Sequence, residues 1–234
     1  MRLAEVAWAV AALVLVLVCG AFINAAGMIE AVAALERTWQ QWLELESVLP
    51  VTSALFVLAL FVVPFLLVAL CNGVWIALSG TTARWRELTC RFALTLAPLG
   101  FSMWVAHLAY HFLTGAAVAI PVVQRAAIDL GSSLLGQPNW TSAAMLLSLD
   151  RPPSLQILLL DGGLLLTLYA GWRVGQRFSA HARGALSLLA PWAGLAVLLY
   201  AAGVWIVFQP MEMRGLTPEM KACPMSNKMP EMQH

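Results

Sequence analysis

His107 and His111 stand four residues apart in the run Met103-Trp-Val-Ala-His107-Leu-Ala-Tyr110-His111, an otherwise apolar stretch. Ionisable side chains are costly in hydrocarbon, so such a pair marks a candidate functional site. A spacing of four places both imidazoles on one face of a helix, and Met103, four residues earlier, extends the same stripe. Imidazole nitrogen and thioether sulfur are both ligands for soft or borderline metals, so Met103, His107 and His111 form a candidate metal site. Asp161 is an acidic residue set deep in another apolar stretch. Its carboxylate could accept from an imidazole N–H, fixing the tautomer and raising ligand basicity, and Tyr110 is a second outer partner. Asp161 also precedes Gly162-Gly163, where another helix can come close.

Two other readings of the stripe stay open. One histidine could hold a haem b, or the pair could border a quinone. Only His181 and His234 remain elsewhere, so a bis-histidine haem between two helices of this chain cannot form. Alternatively the histidines and Asp161 are polar contacts that hold helices together.

The segment 209–234 has a different chemistry. It carries six of the ten methionines (Met211, Met213, Met220, Met225, Met229, Met232) together with Cys223 and His234. Four prolines, Pro210, Pro218, Pro224 and Pro230, argue against a folded domain. Methionines in a polar, Pro-rich tail are not core filler. Thioether and thiolate groups select Cu(I) over hard cations, which makes Met211, Met213, Cys223 and Met225 candidate copper ligands. The competing reading is a tail that docks on a partner through adaptable methionines.

These groups must be positioned by a membrane bundle. The chain is 61% hydrophobic and 11% charged over 234 residues, against roughly 25% charged in soluble domains. A formal net charge of +1 gives no global pull toward nucleic acid. Five stretches, 4–28, 52–79, 92–119, 154–173 and 185–208, approach or exceed the ~20 residues a spanning helix needs. The expected fold is therefore all-α, a polytopic helix bundle over 1–208 followed by the tail. The apolar core of the first stretch is longer than the roughly 7–15 residues of a cleavable signal, so it reads as a retained helix. Pro64 predicts a kink in the second.

Basic residues crowd the short connections: Arg84, Arg86 and Arg91 in one, Arg173, Arg177 and Arg183 in another, with Arg2 before the first span. The positive-inside rule then predicts a cytoplasmic N-terminus and a periplasmic C-terminus in a bacterial inner membrane. Two short interfacial helices are expected on the outer side, near 29–46 and 121–136. The first carries Ile29, Val32, Leu35, Trp39 and Trp42 as an apolar stripe, and the second an Arg125–Asp129 pair. With Ala119 as the outer end of the third span, His107 would lie ~18 Å deep, His111 ~12 Å and Asp161 ~10 Å.

The cysteines, Cys19, Cys71, Cys90 and Cys223, include no C-x-x-C pair. Zinc-ribbon and ferredoxin motifs are therefore absent from the sequence. No nucleophile has a recognisable base at motif spacing, so the chain reads as non-enzymatic.

The stretch from Arg91 to Gly115, followed by Pro121-Val-Val-Gln-Arg125 and Asp129-Leu-Gly131, resembles the C-terminal membrane region of bacterial polyferredoxin-type membrane proteins. These are accessory proteins of nitrate and nitrous-oxide reductases and of cytochrome oxidase assembly. Phe208-Gln-Pro-Met211-Glu-Met213-Arg-Gly215 is similar to an ending of that group. The chain lacks the group's cysteine cluster motifs, so no iron–sulfur ligation carries over. The resemblance implies a bacterial inner membrane, a protein partner in a redox or metalloenzyme complex, and a respiratory or metal-cofactor pathway.

Overall fold

The computed structural model describes residues 3–79, 85–115, 118–132, 134–138 and 154–210, and every regular element among them is helical. In chain order these are α1 (Leu3–Ala26), α2 (Glu30–Trp42), α3 (Leu49–Val57), a π-helical turn (Leu58–Val62) and α4 (Val63–Ser79). They continue with α5 (Trp85–Thr95), α6 (Ala97–Gly115), α7 (Ala119–Asp129), α8 (Ser154–Phe178) and α9 (Ala182–Phe208). Five helical rods are long and apolar enough to cross a membrane: Ala7–Ala26, Leu49–Leu78, Trp85–Phe112, Ser154–Phe178 and Ala182–Phe208.

The second rod is α3, the π turn and α4 run together, and its irregularity has a local cause. Pro64 offers no N–H, and its ring would collide with the carbonyl four residues back in a regular helix. The chain widens just before it, with the Val63 N–H reaching back to Leu58 O, five residues away. The third rod is α5 and α6 joined at Leu96, because Pro98 interrupts the amide ladder in the same way. One amide left free there, Leu99 N–H, donates across the bundle to Thr167 Oγ1 of α8 at 3.2 Å.

The third rod begins earlier than the 92–119 expected. Its start was obscured by Arg86, Glu87 and Arg91, which lie on the exposed face of α5 while Leu88, Cys90, Phe92 and Ala93 turn inward. Glu87 and Arg91 pair at 3.1 Å on that outer face. Along α6, His111 lies ~6 Å and His107 ~12 Å back from Gly115.

Contacts fix the packing order. α8 lies between α6 and α9, α9 also touches α4, and α1 packs on α5, α6 and the π turn. Along α8, Gly163, Thr167, Gly171 and Gly175 recur every four residues and are all buried. Small residues at that interval let backbones approach closely, which is how helices associate in lipid. A Cβ on Gly163 would lie 3.2 Å from Leu99 Cα of α6, and one on Gly175 2.8 Å from the Ala185 carbonyl oxygen of α9. Gly162 is different: a Cβ there would meet nothing within 4 Å.

The rods alternate in direction, so the ends of α1, α6 and α9 and the start of α8 share one end of the bundle. The short helices α2 and α7 belong to that end. The Glu30 N–H at the start of α2 donates to Pro210 O, just past α9, at 3.0 Å. The face of α2 turned to the protein is Ile29, Ala33 and Glu36. Leu35, Trp39 and Trp42 of the expected apolar stripe point outward instead, the orientation that suits an interfacial helix. Arg125 and Asp129 pair on α7 at 3.1 Å.

Candidate functional site

The Met103–His107–His111 stripe follows the helical repeat of α6, and each residue meets a different environment. Met103 is 1% exposed. Its sulfur lies at the middle of the bundle, 3.4 Å from where a Cβ on Gly203 would stand, beside Phe22 of α1 and Leu160 of α8. One turn toward the helix end, His107 is also buried, at 4% exposed. A further turn on, His111 is half-buried.

The two imidazoles face each other. His107 Nε2 and His111 Nε2 are 3.2 Å apart, with ring planes at 84°. Tyr110 sets its ring edgewise on His111 at 5.7 Å. The other ring nitrogen of His107, Nδ1, is buried and has no partner among the described residues. Buried polar atoms are nearly always paired, so an orphaned ring nitrogen beside an imidazole pair is unusual.

Two nitrogens 3.2 Å apart can share one proton, N–H to lone pair, or one metal ion. Imidazole nitrogens each about 2.0 Å from a tetrahedral ion stand ~3.3 Å apart. The observed separation thus suits a chelating pair, the arrangement that histidines four apart provide in helical zinc sites. Axial ligands on opposite sides of a haem iron would stand about 4 Å apart on opposing faces, which two residues on one helix face do not provide. The donor set is small. Among the described residues no group of three or more His, Cys, Asp and Glu could hold a metal. The two imidazoles fall short of the four ligands of structural zinc, and the Met103 sulfur stands one turn further in, beside Phe22, Leu160 and Gly203.

Asp161 is held differently from the histidines. Its Oδ1 accepts from the Tyr200 hydroxyl of α9 at 2.6 Å. Both residues are half-buried. Asp161 lies ~10 Å inside the start of α8 and Tyr200 ~12 Å inside the end of α9. Across the bundle Asp161 is level with Met103, one turn deeper than His107, since Leu160 stands beside the Met103 sulfur and Gln156 reaches Ala106 O. Sequence reasoning named Asp161 but missed Tyr200, a phenol deep in the last span at matching depth. It also missed Gln156, a buried residue of α8 whose amide donates to Ala106 O, next to His107, at 3.3 Å. That bond fixes α8 against the backbone that carries the histidines.

Met211, Met213, Cys223 and Met225 lie outside the described residues. Their attachment point does not: Pro210 is tied to α2 at the bundle end nearest His111. Of the remaining cysteines, Cys19, Cys71 and Cys90 are buried and reduced, and Cys71 Sγ donates to Pro191 O of α9 at 3.6 Å. Comparison with protein-family models, curated proteins and solved structures finds no match.

Proposed function

We propose that this chain is an accessory protein of the bacterial inner membrane that handles Cu(I) for a respiratory or periplasmic redox enzyme. It has no catalytic role of its own. The observation that carries the reading is the 3.2 Å separation of His107 Nε2 and His111 Nε2, with the Met103 sulfur one turn further in. Copper is cargo here. Tail residues Met211, Met213, Cys223 and Met225 capture it on the periplasmic side. His111, His107 and Met103 then form a ladder of soft and borderline donors leading from the bundle end toward its middle. The topology with the C-terminus outside follows from the arginines at the opposite end of the rods.

The test is copper and iron quantification by mass spectrometry on detergent-purified protein from cells supplied with both metals. Copper near or above one per chain, reduced by His107→Ala, supports the reading. A second reading, an electron-transfer subunit binding haem b or a quinone, draws on the orphaned His107 Nδ1, which could donate to a quinone carbonyl. Iron near one per chain with a Soret band, or a co-purifying quinone lost on His107→Ala, would favour it.

A further inference from the structure

Asp161 presents a second polar site on a different face of the bundle. Its carboxylate has one partner among the described residues, the neutral phenol of Tyr200, and no Lys or Arg of those residues reaches it. The site is peripheral. On α8 the residues one turn before and after Asp161, Leu158 and Leu165, are largely exposed, and the backbone at Gly162 opens onto empty space. The pair therefore sits at the outer edge of the α8–α9 seam, beside a notch that a helix backbone could enter.

With the rods in a bilayer, as proposed above, this carboxylate lies well below the headgroups. Intramembrane carboxylates are costly and characteristically pair with a cation. A second copy of the chain does not supply one. In the described rods the arginines, Arg86, Arg91, Arg173, Arg177 and Arg183, all lie at the opposite end, with Arg173 ~18 Å along α8 from Asp161. At the near end Arg37 and Arg125 stand on the short helices α2 and α7, outside the rods, and Arg125 is paired with Asp129. A parallel self-pair would bring two carboxylates together.

We infer that the Asp161–Tyr200 edge of the α8–α9 seam is a docking site for a transmembrane helix of another protein that carries a Lys or Arg about 10 Å below the membrane surface. The cation meets Asp161, and the partner backbone approaches over Gly162. Charge complementarity fixes the depth of the contact, and the notch allows close packing.

The full chain reconstituted in phosphatidylcholine vesicles, with a fluorescent poly-leucine transmembrane peptide, tests this by energy transfer. Three peptides are compared: one with a single Lys seven residues from the end that lies on the tail side, one with the Lys moved to mid-peptide, and one without Lys. The inference expects the first to associate about tenfold more tightly than the third. Asp161→Asn should remove that preference, and Gly162→Leu should weaken association of the first peptide. The peptide comparison is made on the unaltered protein, so it stands even where a variant folds poorly. Equal association of all three peptides would overturn the inference and leave lipid as the occupant. Self-association that depends on Asp161 would overturn it in favour of a second copy.

Discussion

His107 Nε2 lies 3.2 Å from His111 Nε2 on successive turns of α6, while His107 Nδ1 is buried without a partner. A helix returns a side chain to the same face every three to four residues, so the sequence spacing makes this meeting available. The consequence is chemical: at that separation the two nitrogens can share one proton or chelate one ion.

If they hold an ion, each histidine contributes a ligand. His107→Ala and His111→Ala should each weaken Cu(I) binding by at least about tenfold, and Met103→Leu by less, since leucine keeps the volume but removes the sulfur. Competition against a chromogenic Cu(I) chelator in detergent measures this. Unchanged affinity in both histidine variants would leave the pair as a hydrogen bond within the helix.

The tail has its own signature. Ending the chain after Gly215 keeps Met211 and Met213 but removes Cys223 and Met225. Copper stoichiometry should fall while the site on α6 persists. Undiminished stoichiometry and affinity would remove the tail from the account.

Helix packing makes a prediction independent of any metal. Gly175→Val forces a side chain onto the Ala185 carbonyl and should destabilise the bundle by about 1–3 kcal/mol. Gly194→Ala, where a Cβ meets nothing within 4 Å, should leave stability unchanged or slightly raised. Thermal unfolding in detergent compares the two, and equal effects would contradict the close approach of α8 and α9.

Thr167→Val removes the acceptor of Leu99 N–H where α5 and α6 join. An amide left unsatisfied in a buried position costs about 1–3 kcal/mol. Hydrogen exchange at Leu99 should accelerate in the variant, and unchanged protection would mean that another acceptor takes over.

The helical class and the five long apolar rods were legible from apolar length alone, because a span in hydrocarbon must satisfy its own backbone. The His107–His111 pairing was legible for the same local reason. Non-local relations were not. Periodicity places Asp161 on a face of α8 but does not say which helix that face meets, and Tyr200 enters only through the rotation of α9. The α8 small-residue repeat is visible in hindsight at Gly163, Thr167, Gly171 and Gly175. The adjacent Gly162-Gly163 pair concealed it, since one glycine packs and the other does not. Charged residues hid the start of α5, because Arg86, Glu87 and Arg91 interrupt the apolar run although each faces outward. The π turn was beyond reading, as Pro64 predicts an irregularity without choosing its form.

The most direct measurement is X-ray absorption at the copper edge on Cu(I)-loaded protein truncated after Pro210, which removes every proposed tail ligand and leaves the α6 stripe as the donor set. The account predicts imidazole scattering from two histidines with one sulfur shell, lost in the His107→Ala/His111→Ala double variant. Copper that fails to bind, or that binds without imidazole scattering, would contradict it.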